Sequence, residues 1–296
     1  PQLPAALDNE PPAPTEFARP AGLISTSVAA TLIRARDEKL VVIDVRSERD
    51  FEEGHLPGAR NIPSDQFQDT ASAPYFLASA ERVKAACAAC GIRPDTDVLI
   101  YDHVDGRLAA RVWFTLHAYG HNRVSMLDGG QGKWLAEKRE LSQETIAPEK
   151  PGTFVPSEKL RGVCKFDELP QYRTRVHSLG QLPPTTIIDA RTPGEYSGED
   201  ARARRGGHMP GAVNMEWTAL LRGAEGERVW RSPPEIHAIL RLAGIEKSEK
   251  LLVYDQAGGR SAHLFFTLWL LGYENARNYV AGWREYGNRD DVEMEK

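Results

Sequence analysis

The segment Tyr254-Asp255-Gln256-Ala257-Gly258-Gly259-Arg260-Ser261 has the make-up of a ligand-binding loop. An apolar run, Leu251 to Tyr254, ends there. Two glycines permit a tight turn, and a mostly apolar stretch follows from Ser261 to Leu271, stopped by Gly272. Strand, loop and helix in that order bring backbone N–H groups together and aim a helix N-terminus at the same point. The product is an anion cradle at the carboxyl end of a sheet, where open α/β folds place their sites. A cysteine at the first loop position would be held there as thiolate. Here that position is Asp255, whose carboxylate is expected to accept N–H bonds from residues 256 to 260 and to sit in the cradle as an anion. Arg260 has two readings, a contact to a bound anion or an ion pair with Asp255. The neighbouring acid favours the pair.

Other reactive side chains are weaker candidates. Cys87 and Cys90 form a C-x-x-C, but at the C-terminal end of a predicted helix, Ala80 to Cys90, closed by Gly91. A redox pair needs a helix N-terminus to lower its thiol pKa. Val83, Cys87 and Cys90 fall at the spacing of one buried face, so both thiols read as small core hydrophobes. Cys164 lies far in sequence from the loop and is expected to take no catalytic part. His55 and His208 sit in matched Gly-His-x-Pro-Gly turns with no second His or Cys at ligand spacing, which argues for backbone bonds within each turn's own domain and against a metal. No cofactor is implied. Asp44 and Asp189, two residues before Arg46 and Arg191, read as structural pairs that orient loops.

The elements that must position the loop occur twice. Val41-Val42-Ile43-Asp44-Val45-Arg46 matches Thr186-Ile187-Ile188-Asp189-Ala190-Arg191 at an offset of 145. Gly54-His55-Leu56-Pro57-Gly58-Ala59 matches Gly207-His208-Met209-Pro210-Gly211-Ala212 at 153, as Leu99-Ile100-Tyr101-Asp102 matches Leu252-Val253-Tyr254-Asp255. The second copy therefore carries an eight-residue insertion, which includes Arg202, Arg204 and Arg205. Shared order, spacing and identity point to a duplication. In each copy short β-branched runs alternate with helical patterns, which predicts an α/β fold with a mostly parallel sheet flanked by helices. The first copy predicts a strand over 98–101, a helix over 108–118 stopped by Gly120, and a strand over 123–127. The second predicts a strand over 276–280. The tryptophans and Phe265-Phe266 suit core and interdomain packing.

The expected layout is an N-terminal arm over 1–22, a first domain over 23–140, a Pro-rich linker over 141–160 and a second domain over 161–296. At 296 residues each half is long enough for a core of its own. A net charge of -5 argues against a nucleic-acid partner. The longest apolar run, Leu264 to Leu271, falls well short of the roughly 18 residues of a membrane helix. A duplicated pair buries a shared face without a second copy, so a monomer suffices. The chain starts at Pro1, and its Pro-rich arm leans toward an exported (periplasmic) over a cytoplasmic protein.

Taken together these motifs resemble the tandem rhodanese family of sulfurtransferases. The resemblance rests on Asp-x-Arg in both copies and Gly-His-x-Pro-Gly-Ala in both copies. It rests also on a loop similar to Cys-x-x-Gly-x-Arg-Ser, with Gly258, Arg260 and Ser261 in register. The endings Leu127-Asp128-Gly129-Gly130 with Trp134, and Tyr279 to Tyr286, complete it. It covers residues 23 to 290. The family implies transfer of sulfane sulfur from thiosulfate or 3-mercaptopyruvate to cyanide or a thiol through a cysteine persulfide, with Gln256 to Ser261 as the active loop. It also implies that Asp255 occupies the cysteine's place. A carboxylate forms no persulfide, so a pseudoenzyme is expected. The first copy's loop, Asp102-His103-Val104-Asp105-Gly106-Arg107, corresponds to the family's silent domain. Glu195 stands where some members place a donor-binding arginine, and Val280-Ala281 replaces Asp-Gly. Arg191 and Arg205 are the cations left to bind a substrate, although the insertion arginines also read as solvated loop charges. The alternative is a non-enzymatic module that binds an anion or a protein partner on the same fold.

Overall fold

The structure is a computed structural model and describes residues 14–69, 76–172, 185–247 and 250–296. The first copy runs β1 (Leu23–Ile24), α1 (Thr26–Ala35), β2 (Leu40–Asp44), α2 (Glu48–Glu53), β3 (Arg60–Asn61), β4 (Gln68–Asp69), β5 (Phe76–Leu77), α3 (Ala80–Ala89), β6 (Asp97–Tyr101), α4 (Arg107–Ala118), β7 (Val124–Leu127) and α5 (Gly130–Ala136). The second runs β8 (Val163–Cys164), β9 (Thr185–Asp189), α6 (Pro193–Ser197), β10 (Val213–Asn214), β11 (Leu221–Arg222), β12 (Val229–Trp230), α7 (Pro233–Leu242), β13 (Lys250–Tyr254), α8 (Gly259–Leu270), β14 (Ala276–Tyr279) and α9 (Gly282–Tyr286).

Each copy builds a five-stranded parallel sheet. The orders are β1-β7-β6-β2-β3 and β8-β14-β13-β9-β10, the same topology twice. Central strands such as β6 and β13 are apolar on both faces because helices cover both.

Two helices start earlier than their sequence suggests. The helix predicted from Ser261 begins at Gly259, and the one predicted from 108 begins at Arg107. The cause is the preceding glycine. Gly258 and Gly106 adopt left-handed backbone, φ +88° and +82°, and turn the chain straight into the helix. The predicted strands over 123–127 and 276–280 each lose a residue at an end.

The two domains meet along α4 and α8. Trp113 packs edge-on against Phe266 at 4.7 Å between ring centroids, and Phe114 against Phe265 at 4.9 Å. These side chains are buried, and each contributes roughly 1.5–3 kcal/mol. The interface therefore belongs to the core, and it fixes the second loop against the first domain.

No helix or strand is assigned between Ala136 and Val163. That segment is bonded along the first domain, with Gly152 N donating to Ala88 O and Phe154 N to Ile92 O. Of the expected 1–22 arm, residues 1–13 lie outside the described residues. Gly22 is buried against Trp269 and Leu270, and Arg19 N donates to Leu270 O, so the end of the arm is docked on the second domain.

Candidate functional site

Asp255 follows the last residue of β13 and is 2% exposed. One carboxylate oxygen accepts from Ala257 N at 3.0 Å and from Gly258 N, and the other from Arg260 N at 2.8 Å. The Ser261 hydroxyl donates at 3.2 Å. Of the bonds expected from the N–H groups of residues 256 to 260, those from 257, 258 and 260 are made, and the side chain fills its own cradle. Behind it, Gly282 has φ +58° and lies directly on Asp255 O, where any Cβ would collide with backbone. Trp283 N donates to the same oxygen at 2.7 Å. The Gly-Trp of the last motif is thus a brace for the loop.

Arg260 makes the expected ion pair with Asp255, but at long range, and its closer bonds go to a second acid. Its guanidinium forks onto Glu195, Nη1 to Oε2 at 2.5 Å and Nη2 to Oε1 at 2.8 Å, and only its Nε lies near Asp255, at 3.7 Å. Geometry explains the choice. Glu195 is fully buried and is aimed by a capping box with Thr192, so it presents two oxygens to a planar fork. Asp255 has already spent its oxygens on backbone. Burial raises the Glu195 pKa, but the hydrogen bond and charge of Arg260 outweigh that and take it down to about 2. Burial alone would lower the Arg260 pKa; its bond to Glu195 and the charge of Asp255 raise it.

The two arginines expected to be free for a substrate are not. Arg191 is buried and forks onto Asp189, donates from Nη2 to Gly207 O at 2.7 Å, and lies 4.5 Å over the Trp283 ring. Arg205 donates to Val292 O at 3.0 Å and Tyr286 O at 3.3 Å, tying down the C-terminal segment. Arg204 pairs with Asp290. Of the insertion arginines only Arg202 lines the interdomain cavity, and it is half exposed and bonded to Asp200 at 2.8 Å.

Asp44 and Asp189 are structural, as expected. Each forks onto its arginine and also accepts from a tyrosine hydroxyl at 2.6 Å, Tyr101 in one copy and Tyr254 in the other. That hydroxyl in turn accepts from Leu56 N or Met209 N in the Gly-His-x-Pro-Gly turn. One buried network explains why the motifs recur together. His55 and His208 bond backbone through Nδ1, to Phe51 O and Tyr196 O at 2.9 Å each. Cys87, Cys90 and Cys164 are buried, and burial pushes each thiol up to about 12. No cluster of His, Cys, Asp and Glu fit to hold a metal occurs among the described residues.

Two further features shape the site. The first is Arg111, in the middle of the apolar helix α4. It crosses from the first domain, is 1% exposed, and donates from Nη1 to Ala257 O in the second loop. A charge among Ala109, Ala110, Val112 and Trp113 was its sequence signal. The second is the β11–β12 hairpin of the second domain. Asp105 of the first loop accepts from Gly226 N at 2.8 Å and Arg228 N at 3.1 Å, and Asp128 from Trp230 N at 3.0 Å. Nothing in the hairpin's spacing signals that contact. Between loops and hairpin lies a cavity of about 580 Å³, walled by Arg107, Arg111, Arg202, Arg228, Asp255 and Arg260 among others.

Comparison with known proteins agrees with this geometry. The rhodanese-like domain family matches residues 28–137 and again 173–289. The chain is 34% identical over 260 residues to a thiosulfate sulfurtransferase of Azotobacter vinelandii, covering 87% of this chain and 91% of that protein. It is 31% identical over 258 residues to a thiosulfate sulfurtransferase of Pseudomonas aeruginosa, with the same coverage. The anaerobic ergothioneine biosynthesis enzyme of Chlorobium limicola shares the fold at a TM-score of 0.78 and 21% identity, over 95% of this chain and 71% of that one. The structure of YnjE shares it at 0.78 and 19%, over 95% and 69%. A duplicated parallel sheet, a glycine-capped loop at the sheet's carboxyl end and these matches lead to one conclusion: the chain belongs to the rhodanese-like sulfurtransferase family, with two rhodanese-like domains in tandem.

Proposed function

We propose that this chain keeps the two-domain sulfurtransferase frame but has lost the sulfur-carrying step, because Asp255 stands where the family holds its cysteine. The domains are taken as 23–140 and 161–296, joined by 141–160. In the family reaction a thiolate attacks the outer sulfur of thiosulfate, the S–S bond breaks and sulfite departs. The persulfide sulfur then passes to cyanide or a thiol. A carboxylate oxygen is a poor nucleophile toward sulfane sulfur and leaves no persulfide to pass on. The observation that carries this reading is the caged carboxylate. Asp255 takes three loop N–H bonds and a hydroxyl, the groups that would otherwise steady a thiolate or a donor's negative oxygens. Glu195 adds to the effect by holding Arg260, a cation facing the cavity.

Thiosulfate- and 3-mercaptopyruvate-dependent formation of thiocyanate from cyanide tests the proposal. The protein as it stands is expected to give none, and Asp255→Cys to give some. Turnover by the unaltered protein would overturn the reading. A second reading, an anion-binding module without turnover, is favoured by the number of arginines that wall the cavity. It predicts no turnover in either protein but saturable binding of the donor.

A further inference from the structure

Three arginines are buried among the described residues: Arg46, Arg111 and Arg191. Two of them are used in one way. Arg46 points Nε and Nη2 at the two oxygens of Asp44, and Arg191 points the same pair at Asp189. Those nitrogens form one edge of the guanidinium, whose two parallel N–H bonds match the paired oxygens of a carboxylate or another oxoanion. Arg111 has the same edge with no such acceptor. Its Nη1 is committed to Ala257 O, while Nε and Nη2 are buried and have no partner. A buried donor left unmade is costly, more so when it carries charge, and two on one cation call for an acceptor. Burial has already drawn the Arg111 pKa down to about 10, against the pull of Asp255.

Arg111 lines the interdomain cavity, and Arg107, one turn earlier on α4, lies along the same wall with its stem against Gly259. Arg107 is exposed. Glu195 neutralises Arg260 and Asp105 pairs with Arg228, so these cations are already occupied. The open cationic wall is the one on the first domain.

We infer that the Nε–Nη2 edge of Arg111 is a subsite for one oxoanion group, a carboxylate, sulfonate, thiosulfonate or phosphate, of a small ligand bound between the domains. The ligand sits on the first domain's side of the cavity, because Asp255 fills the second loop's N–H groups and repels a second negative charge there. Recognition is then by the domain without the catalytic-type loop, through a side chain that also steadies that loop at Ala257. The inference rests on the cavity being the ligand site, as the proposed function has it, and not on the fate of sulfur.

Isothermal titration of the full chain with thiosulfate, pyruvate and inorganic phosphate separates the oxoanion classes. Arg111→Lys keeps the charge but has no fork. It is expected to weaken whichever anion binds by about tenfold or more, the scale of one bidentate charged pair. Equal affinity in Arg111→Lys, at an unchanged melting temperature, would overturn the inference, as would absence of binding by all three anions. Should the lysine variant not fold, crystals of the unaltered protein soaked in the same anions decide. Anion oxygens on both Nε and Nη2 support the subsite, and an ordered water there with the anion elsewhere overturns it. The double variant Asp255→Cys, Arg111→Lys keeps the two readings apart. Turnover with the same KM as Asp255→Cys would sink the subsite alone. Loss of anion binding in Arg111→Lys, with no turnover by Asp255→Cys, would sink the sulfur-transfer reading alone.

Discussion

Asp102 and Asp255 lie 153 positions apart, and each turns its carboxylate back onto the N–H groups of its own loop. Asp102 accepts from Val104, Gly106, Leu108 and Ala109 at 2.7–2.9 Å, and Asp255 from Ala257, Gly258 and Arg260. The second loop has the internal closure of the first, but only Asp255 borders the cavity.

That difference sets the cost of removing each. Asp102→Ala leaves four N–H groups without their acceptor in a closed setting and should lower stability by on the order of 3 kcal/mol. Asp255→Ala should cost about 1 kcal/mol, because water in the cavity can take over. Urea unfolding of the two variants checks the order, and a larger loss in Asp255→Ala would contradict the closure described.

The Glu195–Arg260 pair should leave a pH signature. Glu195 is shifted from 4.5 to about 2 on folding, so its contribution is complete above pH 4.5 and is lost as pH falls toward about 2. Stability measured against pH should fall more steeply over that window in the wild type than in Glu195→Gln. Parallel curves would show that the pair contributes nothing.

The three thiols should be inert in the folded protein. With burial pushing each up to about 12, thiolate is scarce at neutral pH. A disulfide-exchange dye should label none of them in native protein and all three in guanidinium. Fast native labelling of Cys87 or Cys90 would reinstate a redox reading of the C-x-x-C.

The β11–β12 hairpin should loosen when Asp105 is removed. Asp105→Ala breaks two backbone bonds and the Arg228 pair at 3.1 Å and should cost about 2 kcal/mol. Limited proteolysis between Leu221 and Trp230 should accelerate, and an unchanged cleavage rate would show that the hairpin is held by other contacts.

Much of this was legible in the sequence, because duplication doubles each signal. The Asp-x-Arg and Gly-His-x-Pro-Gly motifs, the glycine loop and the buried faces of α3 and α8 follow from local spacing, and the structure places them as that spacing implies. What depends on tertiary partners was not legible. Spacing points Arg260 to its neighbour Asp255, and that pair forms at 3.7 Å, but it does not reveal the closer fork onto Glu195, 65 residues away. Spacing leaves Arg191 and Arg205 available, whereas one is locked under Trp283 and the other holds the C-terminal segment. Arg111 belongs to one domain by sequence and acts on the other by packing.

The most direct test of the account is the intact mass of the protein after incubation with thiosulfate and gel filtration. The unaltered chain is expected to gain no sulfur atom, while Asp255→Cys gains one that cyanide removes. A sulfur adduct on the unaltered chain, at Cys164 or elsewhere, that cyanide discharges as thiocyanate would contradict it.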